Sequence, residues 1–412
     1  MDSKVKFLAG ALAFTAVTVV LLIVLYINGS LVPEKETEKV YGDSVAAAPA
    51  ITVSGDALKD FLKDEDFFDP EPAAAKERNT ETLPRLYLQG SSIVKDIRLS
   101  ILDENGRPAA GYPYFAEIEG LGEYKDLDQD GIIYIPDLSE GEYLIDLKSV
   151  PGYVVPADPL RVSVRAELQY KVIDDISLYI KSEDEIDPLA DDTALNEANE
   201  DTDETEVTGK WEGTDAAFGI DVSKWQKDID WEAAAADGVE FAIIRCGYRG
   251  SSSGSLVEDP YFKKNIDGAR AAGIQTGVYF FTQAITEVEA VEEASMTVSL
   301  LDGMKLDLPV FIDTEGSGGR ADALDKETRT AVCKAFCETV RSAGYAPGIY
   351  ASRSWFDKKL IDDEFDNVTR WLAEYRKTPL YTGDFGLWQY TSKGTINGIG
   401  TRVDLDMIWN ND

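Results

Sequence analysis

Eight short apolar runs, the first five each followed by a helical pattern, fill residues 214–412 and leave few folds open. The runs are 218–222, 241–246, 276–281, 309–313, 348–350, 371–375, 387–390 and 403–406. Helical spacing occupies 229–237, 260–272, 287–301 and 326–343, with a shorter stretch from Trp355. Gly238, Gly273, Gly303 and Gly344 stand where the first four helices must end, as suits a left-handed closing residue. Strand–helix alternation predicts a parallel sheet with right-handed crossovers, and eight strands are enough to close a barrel. The last three gaps are too short for full helices, so the expected α/β order is five strand–helix units and then strands alone.

Parallel barrels carry their chemistry at the carboxyl ends of the strands. Asp221, Asp313 and Glu315 fall near such ends. In the run Leu308-Pro-Val-Phe-Ile-Asp-Thr-Glu315 the two acids are two residues apart, so on a strand they share a face at about 6–7 Å. Repulsion and partial burial then raise one pKa and keep a proton available at neutral pH. The 412 residues include no histidine. That excludes Ser-His-Asp and Cys-His catalysis and the histidine zinc sites. Acid–base work is left to Asp, Glu, Tyr or Lys, and paired carboxylates suit glycoside hydrolysis. Cys246, Cys333 and Cys337 offer no disulfide framework and are expected to be buried as small apolar residues. With 76 acidic and 40 basic residues the formal charge is −36, which argues against a nucleic-acid partner. No metal or cofactor is expected.

The first 213 residues have a different composition. Residues 7–27 are uncharged and long enough as a helix to span about 30 Å of hydrocarbon. Lys4 and Lys6 precede them, so residues 1–29 read as a cytoplasmic tip and an uncleaved transmembrane anchor with the bulk of the chain outside the cell. The apolar run exceeds the core of an ordinary signal peptide, and Asn28-Gly-Ser30 is a poor cleavage site. Cleavage would make the protein secreted instead. Residues 30–83 read as an acidic flexible stalk. Residues 182–213 read as an acidic linker, because twelve acids and no Lys or Arg lie between Ser182 and Gly209. Between them, residues 84–181 alternate apolar and polar positions around turn signals such as Asp103-Glu-Asn-Gly106 and predict an all-β sandwich. The run Asp126-Leu-Asp-Gln-Asp130 lacks calcium-loop spacing and reads as an acidic turn.

Two resemblances sharpen this picture. Asp103-Glu-Asn-Gly-Arg-Pro108, Asp130-Gly131, Leu138 with Gly141-Glu-Tyr143, and Pro151-Gly-Tyr153 make the middle region similar to prealbumin-like, collagen-adhesin B-type domains. Such domains often carry a Lys–Asn isopeptide bond, but Ile101 and Leu147 stand here at the usual Lys and acid positions, so none is expected. More of the chain is covered by Gly219-Ile-Asp-Val-Ser-Lys-Trp-Gln226, Phe241-Ala-Ile-Ile-Arg245, Gly277-Val-Tyr279, Phe311-Ile-Asp-Thr-Glu315, Gly348-Ile-Tyr350, Trp371-Leu-Ala-Glu-Tyr375, Leu387-Trp-Gln-Tyr-Thr391 and Val403-Asp-Leu-Asp406. In that order, across about 217–409, they resemble glycoside hydrolase family 25, the N-acetylmuramidase type of peptidoglycan lysozyme.

The resemblance implies a flattened (β/α)5β3 TIM-like barrel, peptidoglycan glycan strands as substrate, and cleavage of the bond between N-acetylmuramic acid and N-acetylglucosamine. It makes Glu315 the general acid, Asp313 the partner of the substrate N-acetyl group, and Asp221 and Asp404 the other two carboxylates of the cleft. Tyr279, Tyr350, Trp371 and Trp388 would stack on or flank sugar rings. Trp225 is read as structural. Members often have His where Lys224 and Phe280 stand here. Asp404 lies near the start of the last strand, so that strand is expected to run against the others. The alternatives are a wall-binding module that no longer cuts and a chitinase-like enzyme. The whole reads as a membrane-anchored hydrolase for cell-wall remodelling. Intact-mass measurement of the mature protein is expected to find residues 7–27 still attached; a start near residue 30 would show that the anchor is cleaved.

Overall fold

The computed structural model describes residues 83–186, 209–210 and 216–408. The apolar run 7–27, the stalk up to residue 82 and most of the acidic linker lie outside the described residues. Among the described residues no helix is long and apolar enough to cross a membrane.

The first described unit is a seven-stranded sandwich. Strands β1 (Tyr87–Ser91), β2 (Ile97–Leu102) and β5 (Ile132–Ile135) form one sheet. Strands β3 (Phe115–Ile118), β4 (Gly122–Lys125), β6 (Gly141–Leu147) and β7 (Leu160–Val164) form the other, in the order β4-β3-β6-β7. Period-two alternation sends Leu99 and Ile101, Ala116 and Ile118, Ile133 and Ile135, and Ile145 and Leu147 into the shared core. The Asp126 side chain accepts the N–H groups of Gln129 and Gly131. Asp126, Asp128 and Asp130 form the one acidic cluster among the described residues whose ligand atoms lie within 4.8 Å of one another, and the Asp126 bonds make it a turn closed on its own backbone.

The second unit is a closed barrel. Its strands are β9 (Phe218–Val222), β10 (Phe241–Arg249), β12 (Gln275–Phe281), β13 (Val310–Asp313), β14 (Pro347–Ser352), β15 (Thr369–Ala373), β16 (Leu387–Gly394) and β17 (Val403–Ile408). Helices α1 (Trp231–Ala236), α2 (Phe262–Ala271), α3 (Glu287–Leu301), α4 (Lys326–Ser342) and α5 (Arg353–Lys358) follow the first five barrel strands, and none stands between the last three. Asp230, Thr286, Asp325 and Ser352 cap α1, α3, α4 and α5 by accepting a first-turn N–H. The sheet runs β12-β13-β14-β15-β16-β17-β9-β10 and closes where β10 pairs with β12. Pairings are parallel from β9 through β16, whereas β17 is antiparallel to both β16 and β9. This is the direction that the position of Asp404 requires.

Both faces of each barrel strand are buried, and each face has its own core. Ile220, Val222, Ala242, Ile244, Val278, Phe280, Val310, Ile312 and Leu372 pack outward among the helices. Phe241, Ile243, Phe311, Tyr350, Trp371, Ala373 and Leu387 fill the lumen. Two glycines make room for the lumen rings. A Cβ on Gly219 would lie 2.4 Å from the Phe241 ring, and one on Gly348 would lie 2.2 Å from that of Phe311. Cys246, Cys333 and Cys337 are free and buried.

The start of the acidic linker is built into the barrel. A hairpin strand, β11 (Leu256–Glu258), follows β10, and β8 (Ile180–Lys181) pairs with it in parallel. Glu183 then forms an ion pair with Lys224 and accepts the Tyr248 hydroxyl at 3.4 Å. Glu183 and Ile186 are therefore partly buried against the barrel, while Ser182, Asp184 and Glu185 remain exposed. The sandwich is tied down as well. Arg98 of β2 forms an ion pair with Glu292 of α3 and lies over the Tyr179 ring at 5.5 Å. Arg249 joins Glu292 and Glu293, at 2.8 Å in each case.

Gly219→Ala should cost about 1–3 kcal/mol, because the added methyl must displace the Phe241 ring in a packed lumen. Urea unfolding of the two proteins measures it.

Candidate active site

Closure of the barrel brings the predicted acids to one mouth. Asp313 is the last residue of β13, and Glu315 lies two residues further on in the following loop. The expected shared strand face therefore ends at Asp313, and Glu315 reaches the mouth from the loop. Asp221 lies on β9, directly opposite Asp404 of the antiparallel β17. Asp221 and Asp313 are buried, 7% and 5% exposed, while Asp404 is partly open to the cleft.

The charges interact. Burial, then the Asp406 and Glu315 charges, push the Asp221 carboxyl well above the usual range, against a hydrogen bond from Gln389. Burial, then Glu315 and Asp221, do the same to Asp313, with Arg245 opposing. Asp404 is raised by burial, then by Asp221 and Glu315. A cluster of this kind cannot ionise fully at neutral pH, and its protons belong to the group as a whole. It can hold a proton for donation while leaving a carboxylate free to accept a hydrogen bond.

A polar scaffold fixes the cluster. Gln389 of β16 donates through Nε2 to Asp221 Oδ2 at 2.7 Å. Its Oε1 accepts the Tyr350 and Tyr375 hydroxyls, both at 2.9 Å. Arg245 Nε donates to Asp259 Oδ2 at 2.7 Å, both side chains being buried. Trp371 Nε1 donates to Asp406 Oδ1 at 2.7 Å. Tyr279, Tyr350 and Phe311 ring Trp371 with centroid separations of 6.0, 4.6 and 5.2 Å. Tyr279 and Tyr350 stay protonated, since burial first of all holds their hydroxyls above the usual value.

The expected aromatic set divides. Tyr279 is partly exposed, Tyr350 lines the lumen, and Trp371 is its buried floor, 1% exposed. Trp388 does not join them. On β16 it is Gln389 that faces the lumen, so its neighbour Trp388 points outward, packs in the helix-side core and donates to the Glu374 carbonyl at 2.8 Å. Phe280 is outward too, against Phe336 of α4, so that departure from the family pattern does not touch the cleft. Trp225, expected to be structural, is 50% exposed beside the mouth with Lys224 Nζ 4.9 Å above its ring. Gln389, Asp406, Arg245 and Tyr375 were not anticipated. The signal that could have found the first three is parity: each lies an even number of residues from a lumen-facing neighbour on its strand.

Residues 220–399 match the family described as Glycosyl hydrolases family 25. The uncharacterized protein YegX of Escherichia coli (strain K12) is 30% identical over 197 residues, which are 46% of this chain and 68% of that protein. The autolytic lysozyme of Clostridium acetobutylicum is 27% identical over 190 residues, 46% of this chain and 54% of the lysozyme. Among solved structures, the modular autolysin LytC from Streptococcus pneumoniae is 30% identical, with 48% of each chain covered and a TM-score of 0.42. The chain thus spans about half the length of these last two proteins.

The crowded acids carry a stability cost. Their pKa values are raised on folding, so what these groups contribute to stability is greatest at low pH and is lost as pH rises through the raised values. Asp404→Asn should therefore stabilise the fold at pH 8 by on the order of 1 kcal/mol, and less at pH 5. Thermal unfolding at the two pH values checks it.

Proposed function

Because the chain belongs to glycosyl hydrolase family 25, we propose that it is a muramidase that cuts the β-1,4 bond between N-acetylmuramic acid and N-acetylglucosamine in peptidoglycan. The observation that supports this best is the convergence of Asp221, Asp313, Glu315 and Asp404 at one barrel mouth, with mutual repulsion among them. The name of the Clostridium relative, an autolytic lysozyme, points the same way.

In this reading Glu315 protonates the glycosidic oxygen as the bond breaks. Asp313 accepts a hydrogen bond from the N–H of the substrate's N-acetyl group and turns its carbonyl oxygen toward the anomeric carbon. That oxygen displaces the leaving sugar. Water, deprotonated by the Glu315 carboxylate, then opens the cyclic intermediate with retention. Asp221 and Asp404 orient the sugar and the incoming water. Tyr279 offers the exposed aromatic edge for a ring face. Residues 7–27 hold the enzyme at the membrane, and the sandwich sets it off toward the wall of its own cell for remodelling.

Glu315→Gln should lower the release of reducing ends from purified peptidoglycan by about 10²- to 10⁴-fold, the usual worth of a general acid. Full activity in that variant would remove Glu315 from the role. Wall binding by the unaltered protein without any release would instead favour an inactive binding module.

A further inference from the structure

Gln283 stands in the turn between β12 and α3 and takes no part in the reaction outlined above, yet it is fully buried beside the loop that carries Glu315. That loop runs from Thr314 to Asp325, between β13 and α4. Ser317 and Gly318 donate their backbone N–H groups to the Asp322 carboxylate, at 3.2 and 2.8 Å, which closes residues 317–322 into a turn. Gln283 grips that turn at both ends. Its Nε2 donates to Ser317 Oγ at 2.9 Å, and its Oε1 accepts the Ala321 N–H at 3.2 Å. The Ala321 carbonyl in turn accepts Arg329 Nη2 of α4 at 2.8 Å.

We propose that Gln283 is a positioning residue: its side-chain amide holds the turn 317–322 against the end of β12 and so fixes the backbone from which Glu315 reaches the glycosidic oxygen.

The sense of the amide is fixed. A backbone N–H can only donate, so Oε1 must face Ala321 and Nε2 must face Ser317. A glutamine so deeply buried is stable only when both ends of its amide are bonded, and here both bonds go to one loop. Glu315 and Gly316 are then suspended between two fixed points. On one side Thr314 donates its N–H to the Tyr350 carbonyl at 3.1 Å, and its Oγ1 accepts Arg329 Nη1 at 3.4 Å. On the other is Ser317, buried and held by Gln283. The turn that bears Gln283 is itself anchored. Thr282 donates its N–H to the Asp313 carbonyl at 3.0 Å. Glu289 of α3 joins the same turn to the loop, since one of its oxygens accepts the Ile285 N–H at 2.7 Å and the other accepts Arg320 Nη2 at 2.9 Å. Gly319 shows how close the fit is, because a Cβ there would lie 2.2 Å from Gln283 Oε1. A slack grip would let Glu315 drift, and misplacing a reacting group by about 1 Å can cost about 100-fold in rate.

Methionine keeps the bulk of Gln283 and loses both bonds. Glutamate keeps both: one oxygen accepts the Ala321 N–H, and the other meets the Ser317 hydroxyl, donating to it when protonated and accepting from it when ionised. The proposal rests on the hydrolase reading for its kinetic test, and an exchange measurement does not. With purified peptidoglycan as substrate, Q283M should lose about 100-fold in kcat with KM changed by less than about twofold, and Q283E should lose less than about 10-fold. G319A, which drives a methyl against Gln283 Oε1, should also lower kcat with little change in KM. Amide hydrogen exchange across residues 316–322 should quicken in Q283M and stay near that of the unaltered protein in Q283E. Undiminished kcat in Q283M would overturn the proposal. Equal impairment of Q283E and Q283M, with both folded by circular dichroism, would overturn it as well. Should Q283M fail to fold, G319A decides, and unchanged kcat in that variant counts against the proposal. Release of no reducing ends by the unaltered protein, together with faster exchange in Q283M, would refute the hydrolase reading while leaving the grip of Gln283 on the loop standing.

Discussion

One strand running the wrong way holds the site together. Inserted antiparallel between β16 and β9, β17 presents the start of its inward face to the end of theirs. Had it run parallel, Asp404 would open at the far rim of the barrel. As it is, Asp404 faces Asp221, and Asp313 and Glu315 complete the mouth from β13 and its loop. The short connection from β16 to β17 serves the same end, because an antiparallel neighbour can be reached without a crossover helix. The cost is repulsion among closely grouped, largely buried acids. It is contained by oriented donors, namely Gln389, Trp371 and Arg245, rather than by a countercharge for every acid.

Much of this was legible in the residues. The five strand–helix units were marked by periodicity and terminal glycines, and the direction of β17 followed from where Asp404 sits in its run. The side chains that orient the acids were harder to see. In a strand buried on both faces, apolarity says nothing about which residues point in. Leu387-Trp-Gln-Tyr390 is such a strand, and the aromatic Trp388 looked like the functional partner when the polar Gln389 was. Asp406 was hidden in the same manner, two residues from a carboxylate that drew the attention. The acidic run after residue 181 hid one contact for another reason. Its composition is that of a solvated spacer, and only Lys224 and Tyr248, distant in sequence, give Glu183 a place to dock.

The two departures from the family pattern have different meanings. Phe280 belongs to the helix-side packing and replaces nothing in the cleft. Lys224 lies immediately after β9 at the mouth and is engaged by Glu183, Trp225 and Tyr248. A cation there is neutralised by the chain's own linker, so its main effect is to pin that segment beside the cleft.

The contact between Arg98 and Glu292 bears on mechanics as much as on stability. Glu292 is also held by Arg249, whose partner Glu293 takes the hydroxyl of Thr282, and Thr282 donates its backbone N–H to the carbonyl of Asp313. A continuous line of bonded groups thus runs from the sandwich to the rim of the cleft. Through that line the sandwich and the cleft share one frame of reference. The cleft accordingly has a compass bearing as well as a position.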